Sequence, residues 1–500
     1  MTGHARTSPV SADAKADKSA DEGAVTDGFF LAPPPAGREA GSARAWVYRQ
    51  VLDAVRDGRL AAGTRLPSAR RLATAWQVAR SAVDDALAQL QTEGLIERRV
   101  GDGSFVARHL PVGTRAAVAA PAPAPPPAPV LLHPLLTDTA SFPLERWRRL
   151  VAHSLDDPER HVLSYGQPAG LPALREATAQ YLRLTRGMDC QPGQVLIVDS
   201  ALHAVELIVQ VLFEPGDVVA LEDPGFAGAA ALFVQSQLQV VGIPVDDEGF
   251  DIAAVRRDAP RAAALYLHPL NQFPTGCRTS ATRRREILEH ADASGAWVIE
   301  GDHLAEIVHD GAAPPALWRS DRAERVLYVG TFNGVTFPTL RLAYLVLPEA
   351  LVPVFSAVRG MMGDHSPLAT QGALAALLQV GHLSAHLRTL RTRYAARRAA
   401  FVAAVRQQLG DSVRLGPTSS GVHACLHLPP ACSDTGLAAA LVHEGVRALP
   451  LSTLCLQPRG LNALVVGYGA QDEAQTAAGL GRVASVLAAG GGALVGGTRW

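Results

Sequence analysis

The stretch GRLAAGTRLPSARRLATAWQVARSAVDDALAQLQTEGLIERRVGDGSFV, residues 58–106, passes from helical to strand-like periodicity within its own length. After the turn GRLAAGTRLP, Ser68 is placed to cap a short helix, SARRLATAW. A break at Gln77-Val78 leads into ARSAVDDALAQLQTEG, where Val83, Ala86, Leu87 and Leu90 fall on one helical face. That face leaves Arg80, Ser81 and Asp84 outward at the start of the helix. LIERRVGDGSFVAR then reads as a β-hairpin with a Gly-Asp-Gly turn. Upstream, WVYRQVLDAVRDG carries Val47, Val51 and Val55 on one face, and Gly58 ends that helix. Three helices and a hairpin are the layout of a winged helix-turn-helix (α+β). The first turn of its recognition helix is where side chains reach base edges in the major groove, and Arg binds guanine bidentately. Residues 44–110 hold eleven arginines against seven acidic residues, whereas the whole chain has 46 basic and 47 acidic residues. A basic excess confined to this module directs it towards a polyanion, double-stranded DNA.

Outward from this module the chain divides by composition. Residues 1–42 are polar, Ala- and Asp-rich and aperiodic, which predicts a disordered tail. The DNA-binding module occupies 43–110, and a linker follows over 111–132, containing the tract AAVAAPAPAPPPAP (116–129). From 133 to 488, short β-branched runs alternate with helical stretches: QVLIVDS, DVVALED, AAALYL, AWVIEGD, RVLYVGTF and RLAYLVLP. Such alternation predicts an α/β domain on a mostly parallel sheet. Residues 489–500 are Gly-rich, which predicts a flexible tail. With 48% apolar and 19% charged residues in 500, there is material for sizeable cores. No uncharged apolar run is long enough for a membrane span. Five scattered cysteines without a CxxC pair fit a reducing cytoplasm and argue against a structural zinc site.

The full stretch 58–106 resembles a GntR-type DNA-binding domain. The resemblance implies that Arg70, in LPSAR, and Arg80, in VARSAV, contact DNA. It implies further that Ser81 is a polar DNA-contacting position and Gly103 the tip of the wing. Ala79 stands where that family usually has Ser. Further on, SYGQPAGLPALREATAQYLRLTRGMDCQPGQVLIVDSALHAVEL, LEDPGFAGAA, HPLNQFPTG, VIEGDHLAEI and LYVGTFNGVTFPTLRLAYLVLP follow the order seen in fold-type-I aminotransferases. With the GntR-type module in front, the whole is similar to the MocR subfamily of transcriptional regulators, over about residues 44 to 480. That subfamily couples a DNA-binding head to an aminotransferase-like domain that senses ligand. The resemblance implies a homodimer whose two heads use two half-sites.

The enzymes of that fold need a lysine amine to form an imine with pyridoxal phosphate. This chain has two lysines, Lys15 and Lys18, both in the N-terminal tail. Gly334, in GTFNG, stands where the resemblance expects the lysine, so no pyridoxal phosphate can be held covalently in the domain. Other positions depart as well. Gly301 replaces the first Asp of an EDDYD-like stretch, His303 its Tyr, and Asp302 lies one residue from the position that would pair with the ring nitrogen. Phe226 has no hydroxyl, Asn271 replaces a His, and Ser200 replaces a glycine of the phosphate loop beside Asp199. Arg341 matches the phosphate-contacting Arg. These residues read as a degenerate cofactor pocket, with no catalytic residue and no metal site. The expectation is a cytoplasmic transcriptional regulator that is not an enzyme, its second domain serving effector sensing, dimerisation or both. Non-covalent pyridoxal phosphate through Arg341 is the alternative, and an active aminotransferase would need a lysine the domain lacks.

Overall fold

The computed structural model describes residues 43–99, 102–108, 130–156, 165–363 and 366–489. The chain forms two compact units, 1–126 and 127–500. Expectations for the tails (1–42 and 490–500), for the Pro-Ala tract and for part of the hairpin turn lie outside the described residues.

In the first unit, helices α1 (Ala43–Arg56), α2 (Ala69–Ala75) and α3 (Arg80–Thr92) precede strands β1 (Ile96–Arg99) and β2 (Gly103–Val106). The strands pair antiparallel from Ile96↔Val106 to Arg99↔Gly103. Helix α1 buries Val47, Val51 and Val55, and α3 buries Val83, Ala86, Leu87 and Leu90. They enclose Leu72 of α2 and Trp76, whose ring meets Trp46 edge-on at 5.5 Å. Each fully buried aliphatic or aromatic side chain here contributes about 1.5–3 kcal/mol relative to exposure. Ser68 caps α2, its Oγ accepting from the Arg71 amide at 3.3 Å, as its position in the sequence predicts.

The second unit is built on an eight-stranded sheet. Its strands are β3 (Val195–Val198), β4 (Val218–Asp223), β5 (Gln239–Asp246), β6 (Gly249–Phe250), β7 (Ala264–Leu267), β8 (Trp297–Asp302), β9 (Val326–Thr331) and β10 (Ala343–Val346). Their spatial order is β3-β10-β9-β8-β7-β4-β5-β6. The pairs β4–β5, β4–β7, β7–β8 and β8–β9 are parallel, whereas β10 runs antiparallel to both β3 and β9. The helices used below are α4 (Leu144–Leu155), α5 (Pro172–Arg186), α6 (Ala201–Leu212), α7 (Ala227–Gln235), α8 (Ile252–Asp258), α9 (Ala281–Ser294) and α10 (Leu317–Ser320). A smaller four-stranded antiparallel sheet follows, from β11 (Arg414–Leu415), β12 (His423–His427), β13 (Leu449–Pro450) and β14 (Ala463–Gly467).

Each of the six apolar runs picked out in the sequence becomes a strand of the large sheet. Strand β5 escapes that reading because Gly242 and Pro244 interrupt it and its side chains are only partly buried. Leu131 and Leu132 are a correction: they fall in the stretch read as linker yet are buried in the second unit. The Leu131 amide donates to the Gly445 carbonyl at 3.0 Å, and the Gly467 amide donates to the Leu132 carbonyl at 2.8 Å.

Candidate nucleic-acid interface and degenerate cofactor pocket

Arg80 opens α3, exposed, with its Nε 3.5 Å from Asp84 one turn on. Ser81 is exposed beside it, and Arg70 is exposed on α2. All three lie away from the buried faces of their helices, and for Arg80 and Ser81 the sequence periodicity predicts it. Gly103 begins β2 at φ +106°, a conformation that L side chains rarely adopt, and a Cβ there would meet Arg65 Nε at 3.6 Å. Arg65 pairs antiparallel with Phe105 in an isolated bridge, and the Arg99 guanidinium lies over the Phe105 ring at 4.4 Å. Sequence reasoning passed over these two arginines; the signal available was a basic residue on each side of the wing. An exposed arginine set on short helices and a hairpin is suited to phosphate contacts and to base edges alike.

The cap of α3 shows what Ala79 in place of Ser does. Ala79 has extended geometry, φ −60° and ψ 138°, and no side chain to satisfy the first-turn amides. Ala79→Ser is therefore expected to stabilise the head by about 1 kcal/mol, read as a higher urea midpoint of the head. An unchanged midpoint would show that water already satisfies those amides.

In the second unit, strand direction gathers the resembling segments at one edge. The parallel strands all end there, and the antiparallel β10 starts there, so Ser200, Phe226, His268, His303 and Gly334 follow strand ends while Arg341 precedes β10. In an α/β sheet this edge is where ligands bind. Several of the positions that the resemblance assigns to a cofactor face neighbouring side chains. A Cβ at Gly334 would lie 2.8 Å from Leu304 Cδ2, so Leu304 fills the space beside it. Leu304 does so at φ +59°, a strained conformation for an aliphatic residue. A Cβ at Gly301 would lie 2.5 Å from His268 Nε2.

His268 was not singled out in the sequence, because its contacts cross between strands. Its Nδ1 is 3.1 Å from Glu222 Oε2, and its ring faces that of His303 at 5.2 Å. Burial, reinforced by His268, pushes the His303 imidazole well below its ordinary value. Ser200 caps α6, its Oγ accepting from the His203 amide at 3.0 Å, so its hydroxyl is engaged. The Asp199 carboxylate accepts from Ser366 Oγ. Asn271 Oδ1 is 3.4 Å from Ser420 Oγ, and Phe226 packs edge-on to Phe273 at 6.5 Å. Arg341 is exposed at φ +50° and makes no hydrogen bond or ion pair among the described residues.

Asp302 is a correction. Side chains alternate along a strand, so Asp302 occupies the face of β8 opposite to Gly301 and does not join the pocket. Its Oδ2 accepts from Arg186 Nε at 2.7 Å and from the Tyr328 hydroxyl at 2.7 Å, with the two side chains of the ion pair only 3% and 1% exposed. Arg459 donates to Asp223 at 2.5 Å and to the Gly242 carbonyl at 2.8 Å.

The aminotransferase class I and II family matches residues 135–461, and the bacterial regulatory proteins, gntR family, match residues 44–106. The chain is 30% identical over 444 residues to the probable rhizopine catabolism regulatory protein MocR of Rhizobium meliloti, covering 85% of this chain and 90% of that protein. It is 29% identical to the HTH-type pyridoxine biosynthesis transcriptional regulator PdxR of Corynebacterium glutamicum, over 85% of this chain and 91% of that one. Among solved structures, LysN, an α-aminoadipate aminotransferase of Thermus thermophilus crystallised with N-(5′-phosphopyridoxyl)-L-leucine, superposes with a TM-score of 0.67 at 26% identity. That superposition covers 72% of this chain and 92% of LysN.

Proposed function

This chain belongs to the MocR-type transcriptional regulators, a gntR-family head joined to a domain of the aminotransferase class I and II family, and from that premise we propose that it regulates transcription without catalysing transamination. The observation that carries the proposal is chemical: no lysine follows Lys18 in the sequence. An imine to pyridoxal phosphate needs an amine, and arginine at neutral pH supplies none. The geometry supports the same reading, with Leu304 against Gly334 and His268 against Gly301. Asp199 adds a carboxylate beside the phosphate loop, disfavouring a second anion there. The residues present do not fit the cofactor.

In this reading Arg70, Arg80 and Ser81 meet DNA at the two helices and Gly103 at the wing. The domain that follows serves effector sensing, dimerisation or both, and the protein works as a homodimer in the cytoplasm. Among the described residues no helix is long and apolar enough to cross a membrane. The absorption spectrum of the purified chain, incubated with pyridoxal phosphate and desalted, tests the cofactor claim. No imine band should survive desalting, and a stoichiometric band that does would overturn it. Light scattering at micromolar concentration tests the dimer, and a monomer there would contradict it.

Restoring the lysine alone should not restore an enzyme. Gly334→Lys must displace Leu304, an overpacking cost of about 1–3 kcal/mol, and it leaves Gly301, Phe226 and Asp199 as they are. The expected outcome is a lowered melting temperature and no measurable transamination. A stable imine with turnover would show that the pocket is intact but for one residue.

A further inference from the structure

A second cavity shares none of its lining residues with the strand-end positions described above. It encloses about 470 Å³ between the start of α9 and α10. Three arginines, Arg278, Arg284 and Arg285, line it together with Ser280, Leu288 and Leu317, and no aspartate or glutamate is among its lining residues. The arginines are not equivalent. Arg285 is exposed. Arg278 is half-buried and donates to the carbonyls of Asp310 and Ser419 at 3.4 and 3.3 Å, leaving Nε buried without an acceptor. Arg284 is only 8% exposed; its Nη2 donates to the Pro315 carbonyl, and its Nη1 is buried with no partner.

A buried guanidinium N–H without an acceptor is costly, and like charges around one cavity repel unless an anion lies between them. The protein's own carboxylates do not meet this demand at the cavity. Glu300, the interior carboxylate that attracts Arg284, is held by the amides of Leu317 and Trp318 at 2.8 and 3.0 Å. Arg186, which also bears on Arg284, is paired with Asp302. The positive end of the 14-residue α9, capped by Ser280, adds to the field at the same mouth. Leu288 and Leu317 provide an apolar wall beside the charges.

We propose that this cavity binds a small organic anion, with a phosphate or carboxylate held by Arg278, Arg284 and Arg285 and an apolar body against Leu288 and Leu317. The proposal goes beyond the DNA-binding reading and does not depend on it, since binding is measured on the protein alone. Phenyl phosphate carries both features of the ligand, and inorganic phosphate carries only the charge.

Titration calorimetry of the full chain should give saturable binding of phenyl phosphate, tighter than that of inorganic phosphate. Arg284→Gln should weaken it by about tenfold or more, the loss of a charge-assisted contact. Should that buried variant fail to fold, Arg285→Gln, at an exposed position, should still weaken binding several-fold with an unchanged melting temperature. No saturable binding to the wild type, or equal affinity in the folded variants, would overturn the proposal.

Discussion

Asp302→Ala is expected to destabilise the larger unit by about 3–5 kcal/mol, the cost of stranding one member of a buried ion pair. The Arg186 guanidinium would keep its bond to the Pro314 carbonyl at 3.0 Å and lose the carboxylate at 2.7 Å. The Tyr328 hydroxyl would lose its acceptor in the same step. A guanidinium keeps its proton in proteins, and without Asp302 nothing at that carboxylate's place offsets the burial that disfavours the charge, so the stranded charge has no easy relief. Replacing both partners, Arg186→Met with Asp302→Leu, should recover part of the loss, because an apolar pair removes both buried charges. Urea unfolding of the larger unit measures this. A loss under about 1 kcal/mol for the single variant would show that water reaches the pair and screens it.

Arg80→Ala should weaken specific DNA binding by about 1–3 kcal/mol and leave the fold and the assembly unchanged. The side chain stands in the first turn of α3, outside the hydrophobic core of the head, and its partner among the described residues, Asp84, is itself partly exposed. An exposed pair of this kind contributes little to stability, so truncation should register in recognition rather than folding. Arg70→Ala, on α2, should reduce specific and non-specific binding together if it contacts phosphate, with a shallower salt dependence. Unchanged specific affinity of Arg80→Ala at fixed salt would remove it from base recognition.

What could be read in the sequence follows from how local the relevant physics is. The buried face of α3 is written in the spacing of Val83, Ala86, Leu87 and Leu90, so Arg80 and Ser81 follow as outward-facing without a structure. Six of the eight strands of the large sheet were equally open to reading as apolar runs, β5 and β6 being the exceptions. Strand direction was not, because an apolar run such as that at 343–346 has the same composition whichever way it pairs.

The pocket was only half visible. The missing amine is a matter of composition, but what took its place depends on contacts between distant segments. Leu304 reaches Gly334, and His268 reaches Gly301. Neither contact leaves a pattern along the chain. Asp302 shows the opposite failing: position in a motif suggested the pocket, and the two-residue alternation of a strand turned it to the other face.

The head is expected to read DNA sequence, while the lysine-free domain that follows it in sequence does no covalent chemistry. Genome-wide binding of the tagged full chain, compared with its Arg80→Ala variant, tests the DNA-reading half most directly. Discrete sites sharing a two-fold motif with half-sites a whole number of helical turns apart are expected, with loss of those sites in the variant. No sites above background, or the same sites at the same occupancy in Arg80→Ala, would contradict it.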